Sequence, residues 1–518
     1  MLKAGSEEEM SDTTPKPSEI LKEVLKQVGP VDFQLLAFPE LTELRAELKD
    51  AQAIGLNPDG SANLDTPESL KAANDALELQ KQINKCKPGQ KHFIVHGIDH
   101  LLNLCKANQW QLAAQHGRVY VFNGAYWQVV DECDLKQFLG KALEKMGVRF
   151  VEAKYFRFRD DLTKQFYTSA HLPAPERDRG TIAINLKNGT LTVGPDGVQL
   201  REFSAADFLT YQLAFDYDPA ATAPKWRAFL DDVQPDPEAQ RILAEASALA
   251  FIPSSVLKLE KIPVLFGSGS NGKSVFQDTL RAVLGNENVS GHSLKLLTGN
   301  ENARADLQDR LINISSEIGG ISDSDTFKLL ASNEPVSAKI LYQNVFTMED
   351  YARLFCNANK LPREIENSPA FFRRFLIIPF NVTIDSTKKD TSLSKKIVAL
   401  ELPGVLNWIL EGLARLLKQC DFSTCTAADQ ALQQYRHESN SVSVWLEDAG
   451  YQPSQNGHRQ PSGMLFSEYT EFCKAEGYIA VKGRSFKERM LNLGFQHSRI
   501  TAGQFYNAVK MGGADDPF

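Results

Sequence analysis

No Cys-x-x-Cys pair occurs in the 518 residues, and the seven cysteines (Cys86, Cys105, Cys133, Cys356, Cys420, Cys425, Cys473) form no Cys/His cluster at zinc-finger spacing. A disulfide framework and a structural zinc site are excluded as the organising principle, and reduced, mostly buried thiols of a cytosolic protein are expected. Long apolar runs are missing too: none approaches the roughly 20 residues of a membrane span. The first residues, MLKAGSEEEMSDTTPKPSEI, are acidic and polar, the opposite of a secretory leader. The expected location is the cytoplasm, that of a bacterial host. Internal repeats and low-complexity tracts are absent. Positive charge is scarce: 57 Lys and Arg against 65 Asp and Glu leave a net charge of -8. This excludes a protein that coats nucleic acid along its whole surface, and leaves local basic patches or an assembled pore as the means of contact.

What is present is enough chain for several domains. Residues 1–90 are poorly patterned, with disorder expected over 1–18, helical periodicity over 19–50 and a loop at GLNPDGSANLD. Residues 91–254 read as an α+β region. It contains helices near Leu101–Cys105 and Leu135–Met146 and two Asn-Gly hairpins, in RVYVFNGAYWQVV and IAINLKNGTLTV. Helices follow over KWRAFLDDVQPDPEAQRILAEASALAF. Residues 255–385 carry the motifs. Residues 386–439 begin in a polar linker and continue as one apolar helix, IVALELPGVLNWILEGLARLL, and 440–518 form a small separate module.

GSGSNGKS, from Gly267 to Ser274, satisfies G-x-x-x-x-G-K-[ST] at every fixed position. Glycines let a tight loop aim successive backbone N–H groups at phosphate oxygens without a Cβ clash. In that loop Gly267, Ser268, Gly269, Ser270, Asn271 and Gly272 would cradle the β- and γ-phosphates of a nucleotide, ATP or GTP as far as the loop alone tells, Lys273 would place its charge on the phosphates and Ser274 would offer a hydroxyl to Mg²⁺. The flanks fit: an apolar strand, IPVLF, precedes the loop, and a helix, KSVFQDTLRAVL, follows and stops at Gly285.

Three downstream features complete the pattern. RLINISSEIGG is the expected second strand, with Glu317 beyond it to polarise a water or help hold the metal. YARLFCNANKLP is a third strand that ends in Asn357 and Asn359, either able to orient the lytic water. AFFRRFLIIPF sets Arg373 and Arg374 before a fourth strand, where an arginine can reach a neighbour's nucleotide.

In this order the features resemble the superfamily 3 helicases, and more closely the phage and plasmid primase-helicases that include the poxvirus helicase-primases. INLKNGTL, FLTYQLAFDYDP and ELPGVLNWILEGLARLL extend the similarity over about residues 90–512. The resemblance implies a P-loop NTPase core of AAA+ type, so that the expected fold is α/β, with the α+β N-terminal region and a C-terminal winged helix read from the chain's own elements. It implies a homo-oligomeric ring, usually a hexamer, with nucleotide between subunits, DNA in the channel and other replication proteins as partners. It makes Glu317 the Walker B acid, a residue that also serves the metal, and Asn359 the sensor. Arg374, or else Arg373, is the finger supplied in trans. Lys339, in SNEPVSAKILYQNVF, falls on the segment that forms a pore hairpin in this superfamily and is the choice for gripping DNA.

Two departures bear on function. Ser316 stands where many Walker B motifs carry a second acid. No complete primase domain fits ahead of residue 90, and the one obvious D-x-D, Asp216-Tyr217-Asp218, lies in a helicase-side segment. In the C-terminal module, helix, helix and hairpin give a winged-helix layout. Lys482, Arg484, Lys487, Arg489, Arg499 and Lys510 face a single acid, Glu488, a patch suited to DNA phosphates. The expected function is an ATP-dependent replicative DNA helicase of a phage, prophage or mobile element. The alternatives are a primase-helicase with an unrecognised priming region, and an origin-binding initiator that uses ATP without translocating.

Overall fold

The structure is a computed structural model that describes residues 15–63, 65–108, 111–115, 117–172, 180–340, 344–362, 368–385 and 390–511. It divides into two compact units, Met1–Glu176 with Glu202–Tyr211, and Arg177–Arg201 with Gln212–Phe518.

In the first unit the periodic N-terminal segment folds as α1 (Pro17–Gln27), α2 (Phe33–Ala37), α3 (Leu41–Gly55) and α4 (Pro67–Lys85). Most of the segment expected to be disordered, residues 1–14, lies outside the described residues. Leu41 and Leu48 pack on Ala76 and Ile83 to pair α3 with α4. Next comes α5 (Gln90–Ala107), then an antiparallel sheet of β1 (Gln111–Gln115), β2 (Arg118–Phe122) and β3 (Trp127–Val130), in that order. The expected tight Asn-Gly turn between β2 and β3 is a four-residue connection, since Phe122 pairs with Trp127 and Asn-Gly only opens it: Asn123 Oδ1 accepts from the N–H groups of Ala125 and Tyr126, both at 2.9 Å. Asp131 caps α6 (Glu132–Met146), and α7 (Phe150–Lys154) and α8 (Phe156–Ser169) follow. Ile98, Leu101, Leu139, Leu143, Phe158 and Phe166 are fully buried at the centre of this unit.

The second unit opens with a meander of β4 (Ile182–Leu186), β5 (Gly189–Gly194) and β6 (Gly197–Arg201). Leu186 pairs with Gly189, so Lys187 and Asn188 form the turn and the expected Asn-Gly turn is shifted by one residue. The cause is Asn188, whose side chain donates to the Tyr217 carbonyl and accepts from its N–H. Helices α9 (Pro224–Val233) and α10 (Pro237–Ala248) lead to β7 (Ile262–Phe266) and α11 (Lys273–Leu284), which ends before Gly285 as expected.

A five-stranded parallel sheet follows, built from β7, β8 (Val289–Ser290), β9 (Ile312–Ser315), β12 (Arg353–Ala358) and β13 (Phe375–Pro379) in the spatial order β13-β7-β12-β9-β8. In chain order this is fifth, first, fourth, third, second. The strand RLINISSEIGG is therefore third, not second. The real second strand has two residues, held by Val289 opposite Ile312 and by Ser290 Oγ donating to Asn313 Oδ1 at 2.9 Å. Helices α12 (Leu294–Gly299) and α13 (Glu301–Ala305) lie between β8 and β9. Helix α14 (Ser324–Ala331) and the hairpin β10 (Val336–Lys339) and β11 (Val345–Met348) lie between β9 and β12, and α15 (Pro369–Phe372) precedes β13.

The single apolar helix expected after the linker is two: α16 (Leu393–Leu400) and α17 (Leu402–Gln419), bent by 87°. The buried Glu401 carboxylate at the break accepts from the N–H groups of Lys225 and Trp226 at the start of α9, which fixes the bend. Pro403, lacking an N–H, sits where a first helical turn tolerates it. No single described helix is long and apolar enough to cross a membrane; the bent pair passes only jointly, and Leu406, Ile409, Leu413 and Leu416 of α17 are fully buried inside the unit.

After α18 (Thr426–Glu438) comes α19 (Ser441–Asp448), then β14 (Tyr451–Pro453), β15 (Gln460–Pro461), α20 (Ser462–Glu476), α21 (Gly483–Asn492), and the hairpin β16 (His497–Ile500) and β17 (Gly503–Tyr506); β18 (Ala508–Lys510) returns to β14. β15 pairs with β17, closing a three-stranded sheet on the helices around Trp445, Tyr469, Phe486 and Tyr506.

Candidate functional site

The loop from Gly267 to Ser274 leaves the carboxyl end of β7 between two neighbours. The Gly267 N–H donates to the Ala358 carbonyl at the end of β12, and the Phe380 N–H beyond β13 donates to the Phe266 carbonyl. The turn needs its glycines. A Cβ on Gly267 would meet the Phe380 carbonyl oxygen at 2.4 Å, and one on Gly272, at φ 88°, would strike Val233 at 2.8 Å. Ser270 takes φ 49°, held where its carbonyl accepts from the Ile384 N–H. Ser268 and Ser270 are exposed.

Asn271 and Lys273 fill the inside of the loop. Both are buried. Asn271 Nδ2 donates to the Phe380 carbonyl at 2.9 Å; the Lys273 ammonium donates to the Gly267 carbonyl at 2.6 Å and to Asn271 Oδ1 at 3.1 Å. Its acceptors are neutral, and burial holds its pKa below the usual lysine range. Ser274, one residue on, is exposed in the first turn of α11. Open N–H groups, a cation with neutral acceptors and a helix N-terminus together can seat a polyphosphate.

Parallel pairing aligns three strand ends beside the loop. Ala358 is opposite Phe266, and Cys356 is opposite Ser315, so Asn359 and the Ser316–Glu317 pair share the edge on which Gly267 lies. Glu317 and Asn359 are both exposed. Ser315 Oγ donates to the Glu317 carbonyl and shapes the chain just past β9. Asn357, which sequence reading left beside Asn359, is buried at the end of β12 with its Oδ1 unpartnered among the described residues. Ser274 and Glu317 supply only hydroxyl and carboxylate oxygen, the donor chemistry that Mg²⁺ takes.

The two arginines lie at the other edge. Phe375 pairs with Ile262 at the amino end of β7, and the Ile262 N–H donates to the Arg374 carbonyl. A strand of five residues spans about 16 Å, beyond the reach of an arginine to its own loop. Arg373 is exposed and contacts Glu260 at 3.2 Å. Arg374 is buried, its guanidinium donating to the carbonyls of Lys328 and Ala370. Lys339, half-buried, ends β10 opposite Val345; residues 341–343 of the hairpin lie outside the described residues. A residue that sequence reading missed anchors this hairpin: Arg304, buried, donates to the carbonyls of Ser337 and Leu297. In the C-terminal module Lys482, Arg484, Lys487, Arg499 and Lys510 are exposed, with Arg484 3.3 Å from Glu488. Arg489 turns inward, donates to Asn440 Oδ1, and has its pKa lowered by burial. Asp216 and Asp218 lie in a loop, where Asp218 Oδ1 accepts from the Ala220 N–H.

The chain is thus a mixed α/β protein with a parallel five-stranded sheet and a glycine-rich loop at the sheet's carboxyl edge. Residues 99–235 match the family described as D5 N terminal like, and residues 265–374 match DUF5906, a family of unknown function. The D5 match supports the broader resemblance to phage and viral primase-helicases. Among solved structures, an A-form apo structure of the NrS-1 C-terminal region is similar with a TM-score of 0.46 at 11% identity, over 79% of this chain and 98% of that one. Two further structures of the same region give TM-scores of 0.43 and 0.44, with the same identity and coverage. No curated protein matches the chain.

Proposed function

We propose that the chain is an ATP-dependent replicative DNA helicase of the superfamily 3 type, from a phage, prophage or mobile element, that works as a homo-oligomeric ring, by analogy a hexamer. The observation that carries this reading is Lys273: a buried ammonium whose acceptors are neutral loop oxygens is poised for an anion, because a phosphate supplies the charge that burial otherwise leaves uncompensated. The strand order supports a P-loop core of AAA+ type, since it brings Glu317 and Asn359 beside the loop.

In this reading the backbone from Gly267 to Gly272 binds the β- and γ-phosphates of ATP, with Ser268 and Ser270 lining the open side. Lys273 exchanges its neutral acceptors for phosphate oxygens. Ser274 and Glu317 would hold Mg²⁺, which would neutralise the charge that develops on the phosphates. Glu317 polarises the attacking water, and Asn359 senses the terminal phosphate. Arg373 is the finger given to the adjacent subunit. It is exposed, and it stands at the edge of the sheet away from its own loop, which fits a role in trans; the buried Arg374 holds the strand that presents it. Lys339 contacts DNA in the channel. The order α19, β15, α20, α21, β16 and β17 supports a winged helix, with Lys482, Arg484, Lys487 and Arg499 on DNA phosphates. A D-x-D in a loop instead of on a strand favours a helicase without priming activity.

The test is unwinding of a forked DNA duplex by wild type and Lys273→Ala. Unwinding and hydrolysis are expected to vanish together in the variant; unwinding that survives the substitution sinks the motor reading.

A further inference from the structure

The first unit carries a corner of exposed aromatic and basic side chains at the junction of α7 and α8. Tyr155 is at once the last cap of α7 and the first of α8, and its extended backbone, at φ -66° and ψ 129°, turns the chain between them. The inner side is fixed: Ala153, Phe158 and Leu162 are fully buried, and Arg159 Nε donates to the Ala153 carbonyl at 3.0 Å. The outer side presents Phe150 at 53% exposure, Tyr155 at 48% and Phe156 at 62%. Apolar rings this exposed on a rigid corner are costly to keep in water unless something covers them.

The charges around the rings say what. Arg149, Lys154 and Arg157 are exposed, and the one acid from 149 to 157 is the half-buried Glu152. Beyond that segment Asp160 is taken by Lys136 at 3.0 Å, and Asp161 lies 3.7 Å from Lys164. The cations alternate with the rings: the Lys154 ammonium lies 3.8 Å from the Phe150 centroid and the Arg157 guanidinium 5.8 Å from that of Phe156, while the Tyr155 and Phe156 rings meet edge to face at 5.0 Å. In a chain of net charge -8 this is a local cationic island. Rings interleaved with cations suit an unstacked, negatively charged strand: bases stack on the rings and phosphates meet the cations.

We propose that this corner is a binding site for single-stranded nucleic acid, separate from the nucleotide site, with Tyr155 and Phe156 as the stacking platform and Arg149, Lys154 and Arg157 as phosphate contacts. It does not depend on the motor reading.

The test is anisotropy of a short fluorescein-labelled dT homopolymer with the full chain, without nucleotide. The double variant Tyr155→Ala with Phe156→Ala is expected to weaken binding on the order of tenfold or more, with an unchanged thermal melt because both side chains are exposed. Lys154→Gln and Arg157→Gln are each expected to lower the slope of log affinity against log salt by about 0.7. Phe156→Trp, which keeps a stacking ring, is expected to retain affinity and to lose tryptophan emission on dT addition, with the wild-type signal subtracted. Lys273→Ala should bind dT as wild type does, so a failed motor leaves the corner standing. Unchanged dT affinity in the double variant together with no quenching at Phe156→Trp overturns the proposal. So does a double variant that alters only sedimentation, which would make the face a contact between copies.

Discussion

Asn271 and Lys273 hold each other inside the glycine-rich loop: the lysine ammonium donates to Asn271 Oδ1 at 3.1 Å while Asn271 Nδ2 fastens the pair to the Phe380 carbonyl beyond β13. The two residues should separate in stability measurements. Asn271→Ala leaves a buried carbonyl and a buried ammonium each short of a partner, and a loss of about 1–3 kcal/mol is expected in denaturant unfolding. Lys273→Met removes a buried cation whose acceptors are neutral. Without nucleotide it should melt no lower than wild type, while ATP hydrolysis is lost. Equal destabilisation by both substitutions would refute the view that Lys273 is held at a cost for the sake of an anion.

Arg373 and Arg374 are adjacent in sequence and opposite in environment. Arg373→Ala touches an exposed side chain with one ion pair, so the melting temperature should move little while ATPase falls by 10³-fold or more, in the range of an arginine finger. Arg374→Ala removes a buried guanidinium and strips the half-buried carbonyls of Lys328 and Ala370 of a charged donor, which should cost about 2–4 kcal/mol. Mixing inactive Lys273→Ala subunits with Arg373→Ala subunits should restore part of the ATPase, because some interfaces then pair an intact loop with an intact arginine. No recovery on mixing would place the finger elsewhere.

This contrast shows what the sequence could convey. β7, the loop and α11 were legible because glycine spacing, an apolar run and a capping position are local signals, and the chain obeys them down to Gly285. β8 was not legible: two residues carry no periodicity, and only their pairing with β9 makes them a strand. The break between α16 and α17 follows from Glu401 capping α9 from more than 170 residues away. Whether Arg373 or Arg374 faces water is decided by what packs over them, and nothing in the dipeptide distinguishes the two. The aromatic corner at Tyr155 escaped notice because its rings look in sequence like any core residues.

Thiol chemistry gives a measure of the packing. Cys133 and Cys420 are exposed and Cys86 half-exposed, whereas Cys105, Cys356, Cys425 and Cys473 are buried. Burial pushes Cys105 and Cys356 up to about 12. At pH 8 a thiol-reactive dye should label Cys133 and Cys420 quickly, Cys86 slowly, and the other four only as the protein unfolds. The raised pKa values also set a sign. Cys105 and Cys356 favour the folded state fully below the ordinary thiol pKa near 8.5, and that contribution fades as pH rises towards about 12. Rapid modification of Cys356 in native protein would mean that β12 is far less securely packed than described.

In the motor reading, a change at the glycine-rich loop has to reach the β10–β11 hairpin. Arg304 ties the hairpin to the helices before it: from α13 it donates to the Ser337 carbonyl on β10 at 2.6 Å and to the Leu297 carbonyl on α12 at 3.0 Å, while Ser337 Oγ donates to Glu301 at 2.9 Å. Burial lowers its pKa, but an arginine keeps its charge, so these bonds persist across the working pH range. Arg304→Met preserves much of the stem and removes the donors. The loop, Glu317 and Asn359 make no contact with it among the hydrogen bonds described, so ATPase should stay within a few-fold of wild type. Unwinding should fall at least tenfold, because β10 and β11 would no longer follow α12 and α13. The measurement is the ratio of base pairs opened to ATP hydrolysed; if the two rates fall in proportion, Arg304 merely supports the fold and the hairpin is driven by another route.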